Sequence, residues 1–198
     1  MPDSQSHAFA EIGVDVTIFP LAKIISCHRI RIGSHVVIDD FVFIGNHQQL
    51  IVGNHVHIAS HVSIVGGGIC LCCDFSGVSS GARILTGTDD FHGGGLTGPT
   101  VPAGYRAVMR GKVIIGAHAV IGANAVVCPN VSVGEGATVG AGSVVIRDLE
   151  PWGIYAGAPA RRIGTRRHEE ILELETRLVA EESLAKRFRT ADSLENSC

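Results

Sequence analysis

Aliphatic residues return along this chain with a period of six. Counting from Ile115, the positions Ile115, Ile121, Val127, Val133, Val139 and Val145 are all aliphatic. Glycine follows directly at 116, 122, 134 and 140, and the fifth place of each hexad is small or β-branched in most turns (Ala119, Ala125, Val131, Ala137, Ser143). The same beat runs earlier, through Ile12, Ile18 and Ile24, then Ile32, Ile38 and Ile44, then Val52, Ile58 and Ile64. The steps 24→32 and 44→52 carry two extra residues each, which read as small corner insertions. A period of six suits neither an amphipathic helix nor a simple alternating strand. It suits a triangular solenoid. Each hexad forms one short flat side, its aliphatic residue points to the axis, and glycine permits the turn at the corner. Three hexads close a coil, and stacked coils bury a continuous aliphatic column. The pattern predicts an all-β solenoid.

The rhythm breaks once. Between "GARILTGT" and "KVIIGAHAVIG" lies a Gly- and Pro-rich excursion, residues 89–112, that carries Asp89, Asp90 and His92. Structureless loops longer than about 12–15 residues inside a compact domain are usually functional or disordered. The loop is therefore read as an arm that leaves the solenoid to cover a site, in preference to a linker-like insertion. The six-residue beat ends for good in "RDLEPWGIYAGAPARRIGTRR" (147–167), and Ile171, Leu174 and Leu178 then recur at helical spacing. Acidic residues come early in that segment and Lys186, Arg187 and Arg189 late, as a helix dipole favours. The expected organisation is a solenoid domain over 1–165, and a C-terminal helix with a frayed tail over 166–198.

Composition narrows the picture. The chain has 198 residues, 45% hydrophobic but only 5% aromatic, and 25 glycines. Val, Ile, Leu and Ala must build the core, and the glycine content excludes a helical bundle. A formal net charge of −3 speaks against a nucleic-acid surface. The sequence shows no apolar signal region and no run long enough for a membrane span, so a cytoplasmic location is expected. Six cysteines (Cys27, Cys70, Cys72, Cys73, Cys128, Cys198) lack disulfide-framework spacing. In "CLCC" (70–73) neighbouring side chains point to opposite faces of a strand, which favours buried or solvent-facing thiols over a metal site.

The hexads, the long loop and the tail "AGAPARRI" (156–163) together resemble the hexapeptide-repeat acyltransferases of the galactoside and maltose acetyltransferase type. The resemblance covers roughly residues 30–165. It implies a left-handed parallel β-helix, acetyl-CoA as co-substrate with no metal, and a homotrimer with sites at the subunit interfaces. A narrower likeness lies in "DFSGVSSGARILTGTDDF" (74–91), "LTGPTVPAGYR" (96–106) and "DLEPWGIYAGAPARRI" (148–163). These stretches look like the branch that N-acetylates nucleotide-linked amino sugars, of the perosamine and 4-amino-4,6-dideoxyglucose type, in surface-polysaccharide synthesis.

The chemistry so implied is direct attack of a sugar amine on a thioester, which needs positioning, a proton acceptor and oxyanion stabilisation. The galactoside-type enzymes place a histidine base where this chain has Asp89. An exposed aspartate is a poor base at neutral pH unless desolvation or Asp90 raises its pKa. Otherwise Asp89 orients the amine and water takes the proton. His61 falls where those enzymes place an acceptor-contacting asparagine, and is the leading titratable candidate. His57, His92 and Asp90 are candidate acceptor contacts, and His118 a weaker one. Matching to the family offers Ala123, Ala141, Ile146, Arg147 and Arg161 for the cofactor, the two arginines suiting phosphate recognition. Three other readings compete. A sugar O-acetyltransferase shares the scaffold but is disfavoured by Asp89. A γ-type carbonic anhydrase would need three zinc-binding histidines. A non-catalytic scaffold would make the loop and tail incidental.

Overall fold

The structure, a computed structural model, describes residues 9–45 and 47–195, and of 184–195 the backbone alone. Cys198 lies outside the described residues. The chain divides into two compact units, 1–166 and 167–198.

The first unit is a three-sided parallel β-solenoid. Its first face stacks Glu11–Ile12, Ile30–Ile32, Gln49–Val52, Ile69–Cys72, Lys112–Ile115 and Ser132–Val133. The second stacks Thr17–Ile18, Val37–Ile38, His57–Ile58, Gly77–Val78, Val120–Ile121, Thr138–Val139 and Gly153–Ala156, closed by the antiparallel strand Arg161–Thr165. The third stacks Lys23–Ile24, Phe43–Ile44, Ser63–Val65, Arg83–Leu85, Val126–Val127 and Val144–Val145. The hexad residues are register partners. Ile18, Ile38, Ile58, Val78, Ile121 and Val139 form one inward column, and Ile24, Ile44, Ile64, Ile84, Val127 and Val145 another. Ile38, Ile58, Ile64, Ile84 and Ile121 are fully buried. Each contributes about 1.5–3 kcal/mol by leaving water.

The hexad glycines serve a different end from the one expected. Gly116 and Gly33 do not adopt the left-handed backbone; two places further on, His118 and His35 do, with φ of 57° and 58°. What Gly116 provides is close approach, because a Cβ there would stand 2.7 Å from the Glu135 nitrogen in the next coil.

Left-handed residues at the first corner, between faces one and two, stack into a ladder of rings. His35 and His55 lie 4.7 Å apart, His55 and Phe75 4.6 Å, Phe75 and His118 5.1 Å, and His118 and Trp152 6.0 Å. Gly136 fills the rung between the last two, and Trp152 occupies the space its side chain would take. His118 is thus a buried rung of the ladder. Cys70 and Cys72 face the core, and Cys73 is half-buried.

The second unit holds helix α1, Glu169–Glu195. It extends past residue 190, where fraying was expected. Lys186, Arg187 and Arg189 therefore precede its last turn, which carries no basic residue. Leu174 and Leu178 remain exposed, so the expected apolar stripe is not buried within the chain. Among the described residues no helix is long and apolar enough to cross a membrane.

Candidate active site

The third corner, between faces three and one, departs from the plain triangle. Register partners are 20 residues apart as far as Ile84, as in Ile44/Ile64, then 18 apart after Ile115, as in Val127/Val145, and 16 apart in the last pairing, Thr138/Ile154. The extra residues fall at this corner. They form the short turn Cys27–Arg29 in one coil, the segment 45–48 in the next, and Val65–Gly68 in the third. In the fourth coil the whole 86–111 excursion leaves from the same corner. Its base is not structureless: Gly87–Asp89 pairs antiparallel with Val108–Arg110, and a short turn at Ala103–Tyr105 folds the arm back.

Buried Thr86 ties the corner together. Its hydroxyl donates to the Val65 carbonyl at 2.9 Å and accepts from the Gly68 N–H at 3.0 Å, while its carbonyl accepts from the Gly111 N–H at 2.7 Å. Gly66 and Gly87 lie back to back, each occupying the place where the other's side chain would begin. This close approach leaves an open cleft of about 520 Å³, lined by Arg29, His47, Gln48, Gly66, Gly67, Gly87, Thr88, Asp89, Pro99, Arg106, Val108 and Arg110.

Asp89 lies in the cleft wall. One carboxylate oxygen accepts from the Gly98 N–H at 3.0 Å and the other from the Arg106 guanidinium at 3.0 Å. The Gly98 hydrogen bond first, and then Arg106, hold its carboxyl below the usual range. Neither desolvation nor Asp90 turns it into a base at neutral pH; it is an ionised, oriented acceptor. Asp90 turns away into the arm, where it receives the His92 and Gly94 N–H groups, and its carboxyl is also held low. That is the turn-forming Asx role open to a "TDD" segment. His92 itself is exposed on the arm.

His47 is almost wholly buried beside the cleft. Its Nε2 lies 2.9 Å from the Ile64 carbonyl and must carry the proton to make that bond, while Nδ1 is enclosed without a partner. Burial pushes its pKa down, so it is a neutral imidazole.

The other sequence candidates lie elsewhere on the solenoid. His61 is exposed at the second corner, its ring 5.0 Å from that of Phe41. His57 stands on the second face, its Nε2 3.1 Å from Asp39. Ala123 and Ala141 share the second corner, linked by Gly142 N–H donating to the Ala123 carbonyl at 2.8 Å. Ile146 and Arg147 are exposed at the third corner, beyond the cleft. Third-face strands run from the second corner to the third, so Ala123 and Ala141 stand at one edge of that face and Ile146 with Arg147 at the other. His61 and Asp89 likewise stand at opposite edges of the third face within one chain. The tail pairs against the same face, with Val144 N–H donating to the Gly157 carbonyl and Ala160 N–H to the Val144 carbonyl. Arg161 follows directly, exposed, and donates to the Ala160 carbonyl.

Sequence reading overlooked Arg29, His47, Gln48, Arg106 and Arg110. A signal for the first three was available, because they sit in the two-residue excesses at 24→32 and 44→52. A third excess, 64→72, holds the glycines of the cleft floor.

Comparison with known proteins agrees with this architecture. Residues 107–147 match the family model for the bacterial transferase hexapeptide with six repeats, which makes the solenoid a left-handed parallel β-helix. The dTDP-4-amino-4,6-dideoxy-D-glucose acyltransferase of Escherichia coli is 36% identical over 169 residues, spanning 85% of this chain and 88% of that protein. The solved structure of AntD, an N-acyltransferase from Bacillus cereus in complex with dTDP and 3-hydroxybutyryl-CoA, is 38% identical with a TM-score of 0.82. It covers 88% of this chain and 92% of AntD. An AntD mutant solved with dTDP-4-amino-4,6-dideoxyglucose and coenzyme A is also 38% identical, with a TM-score of 0.82, covering 87% and 91% of the two chains. The chain belongs to the family of hexapeptide-repeat acyltransferases that contains these proteins.

Proposed function

We propose that this acyltransferase moves an acetyl group from acetyl-CoA to the amino group of a dTDP-linked 4-amino-4,6-dideoxy sugar. The observation that carries the reading is Asp89, ionised and pre-oriented in a cleft at the root of the arm, in a chain 36% identical to an acyltransferase of that sugar nucleotide. Asp89 accepts a hydrogen bond from the incoming amine and aims its lone pair at the thioester carbonyl. The C–N bond forms, the tetrahedral intermediate collapses, the C–S bond breaks and CoA leaves as thiolate. The proton on nitrogen passes to His61 or to water. An amine nucleophile needs less help from a base than a hydroxyl, which fits an aspartate where the O-acetyltransferases have histidine.

The enzyme works as a cytoplasmic homotrimer that supplies surface-polysaccharide precursors, with each site shared between subunits. CoA lies along the third face, framed by Ala123 and Ala141 at one edge and Ile146, Arg147 and Arg161 at the other. Sharing explains how His61 and Asp89, on opposite edges of one chain, act in one site. The test is CoA release with dTDP- and GDP-linked 4-amino-4,6-dideoxy sugars, galactosides and maltose. Turnover confined to the dTDP-amino sugars supports the reading, and turnover confined to the hydroxyl acceptors sinks it. Sharing is tested by co-assembling His61→Ala and Asp89→Ala subunits where His61→Ala, like Asp89→Ala, abolishes turnover, which is the outcome if His61 and not water takes the proton. In a symmetric trimer about one quarter of the interfaces regain both groups, and activity returns to that level. No recovery on mixing contradicts a shared site.

A further inference from the structure

We propose that Arg29, Arg106 and Arg110 form the receptor for the diphosphate of the acceptor, so that one cleft grips the sugar nucleotide by its phosphates and by its amine. The proposal deepens the acyltransferase reading and rests on it. The three guanidinium groups reach the cleft from three separate pieces of chain: the Cys27–Arg29 corner turn, the end of the arm, and the hairpin strand Val108–Arg110. Against them the lining sets one carboxylate, Asp89, already paired with Arg106. His47 adds no charge, because burial keeps it neutral.

Among the described residues no acidic group pairs with Arg29 or Arg110; Arg29 donates only to the His47 carbonyl, at 3.3 Å. The Arg106 Nε–H is enclosed without an acceptor. A concave surface with cationic groups in excess and an unused buried donor is built for an anion. Planar forks suit phosphate oxygens in particular.

Two reactants carry phosphate, the acceptor and CoA, and the position of Asp89 favours the acceptor. In a 4-amino sugar nucleotide the amine and the diphosphate sit on opposite sides of one pyranose ring. In CoA the phosphates lie a whole pantetheine arm away from the thioester. A carboxylate for the amine and arginines for the phosphates line one cleft, as an acceptor that carries both groups on one ring requires.

The test measures dTDP, thymidine and CoA binding by calorimetry, with Arg29→Met and Arg110→Met beside the unaltered protein. Both side chains are exposed, and thermal midpoints check that the fold is kept. Each variant is expected to weaken dTDP binding about tenfold or more, to leave thymidine and CoA binding unchanged, and to raise the KM for the amino-sugar nucleotide alone. Arg29→Lys should restore part of the loss, since charge returns without the fork. Unchanged dTDP affinity in both variants, no dTDP binding by the unaltered protein, or a loss of CoA binding in its place would overturn the proposal. The two readings fail separately. A protein that binds dTDP through these arginines yet acylates no dTDP-amino sugar keeps the diphosphate site and loses the proposed reaction. Normal turnover with unaltered dTDP affinity in the variants does the reverse.

Discussion

Coils before Ile84 and coils after Ile115 share one aliphatic core and differ at one corner. In the later set the strands follow each other at 18 residues, falling to 16 in the last pairing, and their third corner is only wide enough to turn the chain. In the earlier set two more residues enter that corner in every coil, and these bring Arg29, His47, Gln48, Gly66 and Gly67 to a common edge. The inward columns run through both sets without a change of register. A solenoid can therefore be enlarged at a corner without disturbing the axis, because each coil's core is settled by its flat sides. At this corner the later coils are scaffold alone and the earlier ones are scaffold plus wall.

Removing the wall while keeping the scaffold is the sharpest way to break this comparison. Deletion of Gly66 and Gly67 shortens the third 20-residue coil to the plain length. Turnover and dTDP binding should fall below detection while the far-UV circular dichroism keeps its β-solenoid form; retained turnover would show that the corner is ornamental. Asp89→Asn keeps the shape and removes the charge. It should lower kcat by about 10²-fold through lost orientation of the amine with little change in thermal midpoint, and a loss expressed only in stability would make Asp89 structural. Truncating the shared core should not distinguish the two regions. Ile58→Ala and Ile121→Ala, in the same buried column on either side of Val78, should each cost about 2–5 kcal/mol in denaturant unfolding.

The smallest effect is one of pH. The folded-state pKa of His47 lies below its unfolded value near 6.5. Between those two values the unfolded chain binds more protons, so stability is full above about pH 6.5 and falls as the pH drops toward the folded pKa. Thermal midpoints of the unaltered protein should decline over that window, and those of His47→Gln should decline less. The Asp89–Arg106 pair behaves in the opposite range. Its carboxyl is depressed, so its contribution is present above the unfolded value near 3.8 and disappears as the pH falls through the folded one.

The core was legible because a period survives in sequence: Ile18, Ile38 and Ile58 announce themselves by spacing alone. The hexad glycines were found but misassigned, since close approach between coils leaves the same letter as a left-handed turn. Of the cleft lining, only Asp89 was legible, where the broken rhythm pointed. Arg29 and His47 stand on irregular corner backbone that has no period, and an excess of two residues looks like noise until the coils are stacked. Arg106 is 17 residues from Asp89 across a glycine-rich arm, and no spacing rule predicts that closure. The helix misled for another reason: Leu174 and Leu178 keep helical spacing, yet they remain exposed within the single chain.

Trp152 is the chain's single tryptophan, and it ends the ladder of rings with the Arg166 guanidinium 5.9 Å from its own ring centroid. Its fluorescence is therefore a lamp fixed at one end of the rod. In denaturant, emission should change when the last coils unravel, while circular dichroism sums every coil. A gap between the two curves would mean the solenoid unzips from one end, and coincidence would mean it melts as a single piece.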